Sequence, residues 1–350
     1  MFLNGIGTAN PPHRYTKTQC WEAFKNSEWF RKLDRHAHVV AETVLTKDNG
    51  IESRALAIDD LSAVFQINPD VLHARFLAHA PALASAASHA ALQDAGVLPV
   101  EIDAVVISTC TGYLCPGLTS YLIERLGLRA DVQAFDLVGQ GCAAALPNWQ
   151  LAQALLSRAN HVLSVCVEVS SAAMYLDNDP GVLISACLFG DGAGAAVLSR
   201  KPNTGQRSLE WKAFDSLTNT GERDALKFET RNGMLRNVLT RPVPRLAAEH
   251  AQKVFERVTQ TADIAASDIA AWIMHAGGRD VLNALRNEMQ LQEHDLRYSR
   301  AMLREFGNMS SAFVYFVLQA ALRDNAAAGW WWMSSFGAGF SCHGALLRRA

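Results

Sequence analysis

Apolar residues in this chain fall into short continuous blocks and longer stretches with helical spacing. Ile102 to Ser108 is a β-branched block that predicts a buried parallel strand. Val132 to Leu137 and His161 to Val167 read as further strands, and Leu188 to Leu198 as a glycine-rich turn entering a strand. Helices are predicted over Thr18–Leu33, Ala37–Val44, Pro81–Ala95 and Leu118–Leu126, and from Cys142 through Leu156. Pro81 suits a first helical position, while Gly96 and Gly127 close their runs. Ile51 to Arg54 leads into a polar, helix-like region. Strands alternating with helices imply an α/β architecture.

The second half echoes the first. Asp268 to His275 repeats the pattern of Glu101 to Ser108 at an offset of 167. Asn308-Met309-Ser310-Ser311-Ala312 opens a helix as Cys142 does, at an offset of 166. Phe336 to Phe340, followed by Gly344 to Leu347, mirrors the turn and strand at 189–198. Three echoes in one order suggest an internal duplication. The pattern breaks at Lys201-Pro202-Asn203-Thr204-Gly205, which places the halves at 1–215 and 216–350. Trp272 and Trp330-Trp331-Trp332 read as core strand residues.

Composition changes this picture little. With 350 residues and 49% apolar content, the chain can bury a large core in two halves. Its net charge of -2, without a basic tract, offers no support for nucleic acid or an anionic membrane as a partner. Pro11-Pro12 arrives before any long apolar run, which argues against a signal peptide. No window approaches the roughly 18 apolar residues of a membrane span. The seven cysteines are odd in number and lack CxxC spacing, so a disulfide framework and a zinc site are both unsupported. A reduced cytoplasm is the expected setting.

Gly141-Cys142 carries the first chemistry. A thiol in a strand-to-helix turn meets the partial positive charge of a helix start, which favours thiolate. Taken singly, Cys142 could equally be a buried structural thiol, His275 a core histidine and Asn308 a helix cap. The repeat changes that weighting. It brings the starts at Cys142 and Asn308 around one centre, with His275 at a strand's carboxyl end, where open α/β sheets gather ligands. Gly190 to Gly194 precedes a strand, the wrong order for a dinucleotide loop, and no P-loop is present.

The chain resembles the type III polyketide synthases, the chalcone-synthase-like branch of the thiolase superfamily. Seven motifs carry the likeness nearly end to end: Cys110-Thr111-Gly112 with Cys115-Pro116-Gly117, Leu126 to Arg129, Gly139 to Cys142, Leu188 to Ala193, His275 to Gly278, Gly307 to Ser311, and Phe336 to Gly339. The resemblance implies a thiolase-like fold of two duplicated halves in αβαβα layers. It implies an acyltransferase that takes a starter from coenzyme A onto Cys142, then extends it by repeated decarboxylative condensation with malonyl-CoA. Cys142 would be held as thiolate by an imidazolium at His275, and His275 with Asn308 would hold the developing enolate oxygen. Ring closure follows, and no metal or organic cofactor is implied. Phe189 matches a gatekeeper aromatic and Ser310 a pocket position. Cys110, Ala173 and Phe336 match cavity positions, and Arg54 lies near a basic position that contacts coenzyme A. A homodimer is implied, with Cys115 near its interface in place of a methionine that reaches the partner's cavity, and Cys115-Pro116 as a candidate cis bond.

Two departures bear on the product. Ala276 stands where the family has proline, and Ser335-Phe336-Gly337-Ala338-Gly339 replaces Gly-Phe-Gly-Pro-Gly. The 110–118 loop and Gly233 to Leu239 are most similar to bacterial alkylresorcinol and alkylpyrone synthases, which implies a fatty acyl starter. A β-ketoacyl synthase III condensing once on a carrier protein is the nearer alternative, and a non-catalytic acyl-binding relative a remote one. A papain-like protease shares the Cys-His-Asn order but not the surround of its cysteine.

Overall fold

The computed structural model describes residues 1–203 and 208–350, so Thr204 and Gly205 of the pattern break lie outside the described residues. The chain opens on β1 (Phe2–Ala9), a strand that the sequence analysis does not predict. Its glycines are the reason. Side chains at Gly5 and Gly7 would run into the backbone of an alanine-faced helix at Ala91 and Ala87.

β2 (Arg14–Thr16) and β3 (Ser53–Ala55) form a ribbon enclosing α1 (Lys17–Lys25), α2 (Glu28–Lys32) and α3 (Arg35–Thr46). One helix was expected over 18–33, but two form because the Ser27 side chain caps a fresh start by accepting from Phe30 N. The helix facing β1 is α4 (Pro69–Ala95), so Pro81 lies inside it rather than at its start. Pro69 takes the first position instead, with the Asn68 side chain capping Asp70 N at 2.9 Å. A well-capped helix of 27 residues tolerates one missing internal bond, worth about 3 kcal/mol.

β4 (Ala104–Ser108), α5 (Leu118–Leu126), β5 (Gln133–Leu137), α6 (Ala145–Leu155) and β6 (His161–Glu168) follow as expected. α7 (Pro180–Leu188), unforeseen in the sequence, precedes β7 (Gly192–Ser199), β8 (Leu209–Thr218) and the hairpin β9 (Leu226–Arg231) and β10 (Met234–Leu239). The remainder comprises α8 (Val243–Ala262), β11 (Ile269–Met274), α9 (Arg279–Glu288), α10 (Arg297–Phe306), α11 (Phe313–Arg323), β12 (Gly329–Gly337) and β13 (Ser341–Arg349). Trp272 lies on β11 and Trp330 to Trp332 on β12, as expected.

The nine-stranded order is β11-β12-β13-β8-β1-β7-β6-β4-β5. It divides at β1 and β8, which pair only at Phe2↔Glu210 and Leu3↔Leu209. Outward from that seam, β7-β6-β4 and β13-β12-β11 each show antiparallel and then parallel pairing. α4 and α5 cover one sheet and α8, with α9 packed against it, the other, while α6 and α11 run between them. This is the expected αβαβα layering. The boundary drawn at 215/216 falls inside β8; we propose that the second half begins with that strand.

Composition explains which helices go inside. α11 is buried along nearly its whole length, from Phe313 to Ala321, whereas α8 buries one face and exposes the other. The Trp149 indole of α6 donates to the Tyr315 hydroxyl of α11 at 3.1 Å, and Ser164 of β6 meets that hydroxyl at 2.9 Å. Gly7→Ala should destabilise the fold by about 1–3 kcal/mol through overpacking against α4. A lowered urea midpoint would show it; an unchanged midpoint would mean that β1 and α4 are not in close contact.

Candidate active site

Between β5 and α6 the chain turns tightly at Gly141–Ala143, with Gly141 at φ +53. That left-handed conformation favours glycine. The next residue, Cys142, is 8% exposed and ends up in the middle layer. The Gly337-Ala338 turn packs onto it, and Ser335 Oγ donates to Ala143 O at 3.0 Å.

The equivalent turn ahead of α11 supplies the facing groups. Asn308 is pinned to the strand-like segment after α7, with its N–H on Leu188 O at 3.0 Å and its carbonyl accepting from Gly190 N at 2.9 Å. Its side chain is used at both ends: Nδ2 donates to Gly277 O at 2.9 Å and Oδ1 accepts from Ser310 N at 2.8 Å. The second N–H of that amide is not used in the Gly277 bond. Ser310, held at φ +50, donates from Oγ to Cys142 Sγ at 3.2 Å and lies 3.3 Å from Cys110 Sγ.

His275 follows β11 directly, its N–H donating to Ser334 O at 2.9 Å. The ring is 1% exposed and lies between Phe336 and Phe313, at centroid distances of 4.9 and 5.5 Å. Neither ring nitrogen has a protein hydrogen-bond partner. Two buried polar nitrogens without partners, in a wall of aromatic rings, mark a place for a ligand's polar atom.

Burial dominates the electrostatics. The Cys142 thiol is pushed up to about 12 by desolvation, against the opposing pull of the Ser310 hydrogen bond. The His275 imidazole is pushed down to about 3 by desolvation. Burial thus works against the thiolate–imidazolium pair expected from sequence, and no Cys142–His275 hydrogen bond occurs among the described residues. The helix contributes less than expected because α6 proper starts only at Ala145, after a separate short turn at Gly141–Ala143.

Sequence reading missed Glu168, whose signal was a lone carboxylate ending an apolar strand. It is wholly buried and accepts from Cys110 N at 3.0 Å, Thr111 Oγ1 at 3.0 Å and Ser311 Oγ. Burial raises its pKa, partly offset by those donors. It ties the Cys110 loop to the Ser310-Ser311 turn.

The remaining candidates separate. Phe189 and Ala173 line a small cavity with Thr111, Val182 and Ser185. Phe336 packs on His275, and Cys110 approaches the Ser310 hydroxyl. Cys115 is exposed and stands apart from its own chain's site; Cys115-Pro116 is cis. Arg54 contradicts its expected role. It is 7% exposed and its Nη1 donates to Ala186 O at 2.8 Å and Phe189 O at 3.0 Å, so its charge serves the end of α7, not a phosphate at an entrance.

A profile of FAE1/type III polyketide synthase-like proteins matches residues 11–224, and one of the chalcone and stilbene synthases, C-terminal domain, matches residues 217–350. The chain belongs to the type III polyketide synthases. Among its relatives, the 1,3,6,8-tetrahydroxynaphthalene synthase of Streptomyces peucetius subsp. caesius is 30% identical over 98% of this chain and 92% of its own. The 3,5-dihydroxyphenylacetyl-CoA synthase of Streptomyces toyocaensis is 28% identical over 91% of this chain and 82% of its own. The structure of PKS-I from the brown alga Ectocarpus siliculosus is similar at a TM-score of 0.91 and 25% identity, covering 99% of this chain and 98% of that one. The fungal synthase ORAS shares the fold at a TM-score of 0.86 and 23% identity, over 100% of this chain and 99% of its own. Type III polyketide synthases are acyltransferases that act on coenzyme A thioesters and need no added cofactor. No helix of the described residues is long and apolar enough to cross a membrane.

The lowered His275 pKa has a stability consequence. Between the ordinary value of 6.5 and about 3, the unfolded chain binds a proton that the folded imidazole refuses, so stability falls as pH drops. His275→Gln should flatten that slope by about one proton, or 1.4 kcal/mol per pH unit, in urea unfolding. An unchanged slope would refute a neutral buried imidazole.

Proposed function

We propose that the chain loads an acyl group from coenzyme A onto Cys142, extends it with malonyl-CoA and releases a cyclised phenolic or pyrone product. The observation that carries this reading is the hydrogen-bonded chain from Cys142 through Ser310 and Asn308 to Gly277, two residues after a buried His275 whose ring nitrogens are both unpartnered.

In the resting site, thiol and imidazole are both neutral. As the acyl thioester arrives, Cys142 gives its proton to His275, and each new charge stabilises the other in a low-dielectric pocket. Cys142 Sγ attacks the carbonyl, and the thiolate of coenzyme A leaves with a proton. For extension, His275 N–H and the spare Asn308 N–H point at the malonyl thioester oxygen. As carbon dioxide departs, negative charge moves onto that oxygen, where two fixed donors are worth most. The enolate carbon attacks the acyl-Cys142 carbonyl, the acyl–sulfur bond breaks with Cys142 leaving as thiolate, and the chain, two carbons longer, stays on coenzyme A.

The starter is the finer part of the proposal. Ala173, Met174, Val182 and Ala186 give the cavity beside Phe189 an apolar lining, which favours a fatty acyl starter. The names of the two curated relatives describe phenolic products, which favours ring closure to a phenol. A homodimer with the exposed Cys115 loop at its interface, in a cytoplasmic setting, belongs to the same proposal.

The test is product analysis by mass spectrometry with malonyl-CoA and acyl-CoA starters of graded length. Cyclised products that vanish in Cys142→Ala and fall about 10²–10³-fold in Asn308→Ala are expected. A single condensation on a carrier protein, with no product from free coenzyme A esters, would replace this reading with the β-ketoacyl synthase III alternative.

A further inference from the structure

One wall of the cavity is held by an arginine far from the reacting atoms. Arg236 lies on β10 with 9% of its side chain exposed, and each of its three guanidinium nitrogens faces a different carboxylate. Nε meets Asp177 Oδ2 at 2.8 Å, Nη2 meets Asp179 Oδ2 at 3.0 Å and Nη1 meets Glu229 Oε1 at 3.0 Å. The planar fork of arginine suits such divided recognition, whereas lysine offers one point charge.

The partners lie on separate elements. Glu229 is the cross-strand neighbour of Arg236 within the hairpin. Asp179 belongs to the start of α7: its other oxygen, Oδ1, caps the helix by accepting from Gly181 N at 2.8 Å. Phe228 and Asn237, the next pair in the hairpin register, line the cavity. Because side chains alternate along strands, the hairpin presents its ion cluster on one face and the cavity wall on the other. From the opposite side α7 contributes Val182 and Ser185, and it ends at Phe189. The hairpin and α7 touch backbone to backbone, since a side chain at Gly181 would strike Leu239 O.

We propose that Arg236 sets the width of the acyl cavity by latching the β9–β10 hairpin to the start of α7, and so selects acyl groups by size. This rests on the synthase reading above. Arg236 is a positioning residue: it touches no substrate and acts through Asn237, Phe228 and α7. Without its charge, Asp179 loses its guanidinium, Asp177 and Glu229 keep only the longer contacts of Arg231 at 3.6 Å and Lys227 at 3.9 Å, and the repulsion among the three moves the hairpin off α7. The cavity then opens toward bulkier acyl chains.

The test compares wild type with Arg236→Met and Arg236→Lys. In Arg236→Met the ratio of kcat/KM for dodecanoyl-CoA to that for acetyl-CoA should rise about tenfold, mostly through KM. Arg236→Lys should fall between the two proteins. A folded Arg236→Met with an unchanged ratio overturns the inference. Should Arg236→Met not fold, Asp179→Asn, which keeps a cap on α7 but removes the charge that Arg236 holds there, should shift the ratio in the same direction by a smaller factor; no shift there overturns it. Amide hydrogen exchange over residues 226–239 reads the latch without turnover. Faster exchange in Arg236→Met supports the latch even where no starter is extended, and unchanged exchange overturns it even where the synthase reading stands.

Discussion

Everything in this molecule depends on where the two helices that follow the Cys142 and Asn308 turns can go. α11 is buried along nearly its whole length, and α6 buries Ala145, Leu146, Trp149 and Ala152 while leaving Gln150 and Gln153 exposed, so both need cover over most of their surface. The space between two sheets is the one environment in the fold that does this. Once both helices lie there, the turns that precede them meet at the centre, and Cys142 arrives within hydrogen-bonding distance of Ser310. The Trp149–Tyr315–Ser164 contacts fix the two helices against each other and against β6. The catalytic geometry is thus a by-product of burying hydrophobic surface.

The same burial creates the electrostatic character of the site. It holds the thiol and the imidazole neutral while nothing is bound, pushing one up to about 12 and the other down to about 3. A permanently charged pair would carry a desolvation cost at all times. A neutral pair instead separates charge only when a substrate carbonyl is there to receive it. Glu168 belongs to this economy of charge. Its carboxyl, raised by burial, is surrounded by hydroxyl, thiol and amide donors and meets no cation in its hydrogen bonds. A rigid polar bracket thereby joins the β4 loop to the turn before α11.

α7 shows how surface charge reaches into the pocket. Its N-terminus is capped by Asp179, which is shared with Arg236, and its last carbonyls are taken up by the buried Arg54. Two arginines therefore hold the two ends of a helix whose middle faces the cavity beside Phe189. Arg54 also abuts Gly307, the residue before Asn308, so Phe189 and the Asn308 amide share one support.

The α/β class, most of the strands and the Cys-His-Asn set were legible in the chain itself, because hydrophobic periodicity and the repeat are local or evenly spaced signals. Glycines at positions 5 and 7 disguised β1, since what they accommodate is α4, eighty residues away or more. Pro81 misled for a related reason: a cap at Asn68 decides where that helix begins, and a proline further along only weakens it. Burial was invisible. Arg54 looked like a phosphate ligand until the fold enclosed it, and the Cys142 thiol looked like a thiolate until its desolvation was known. Arg236 and its carboxylates could not be paired in advance, because Asp177 lies 59 residues from its partner. The sequence by itself determined which chemistry the chain carries and in what order. The tertiary structure alone decided the protonation of the resting site and the walls of its cavity, because both depend on which distant groups exclude water from the same space.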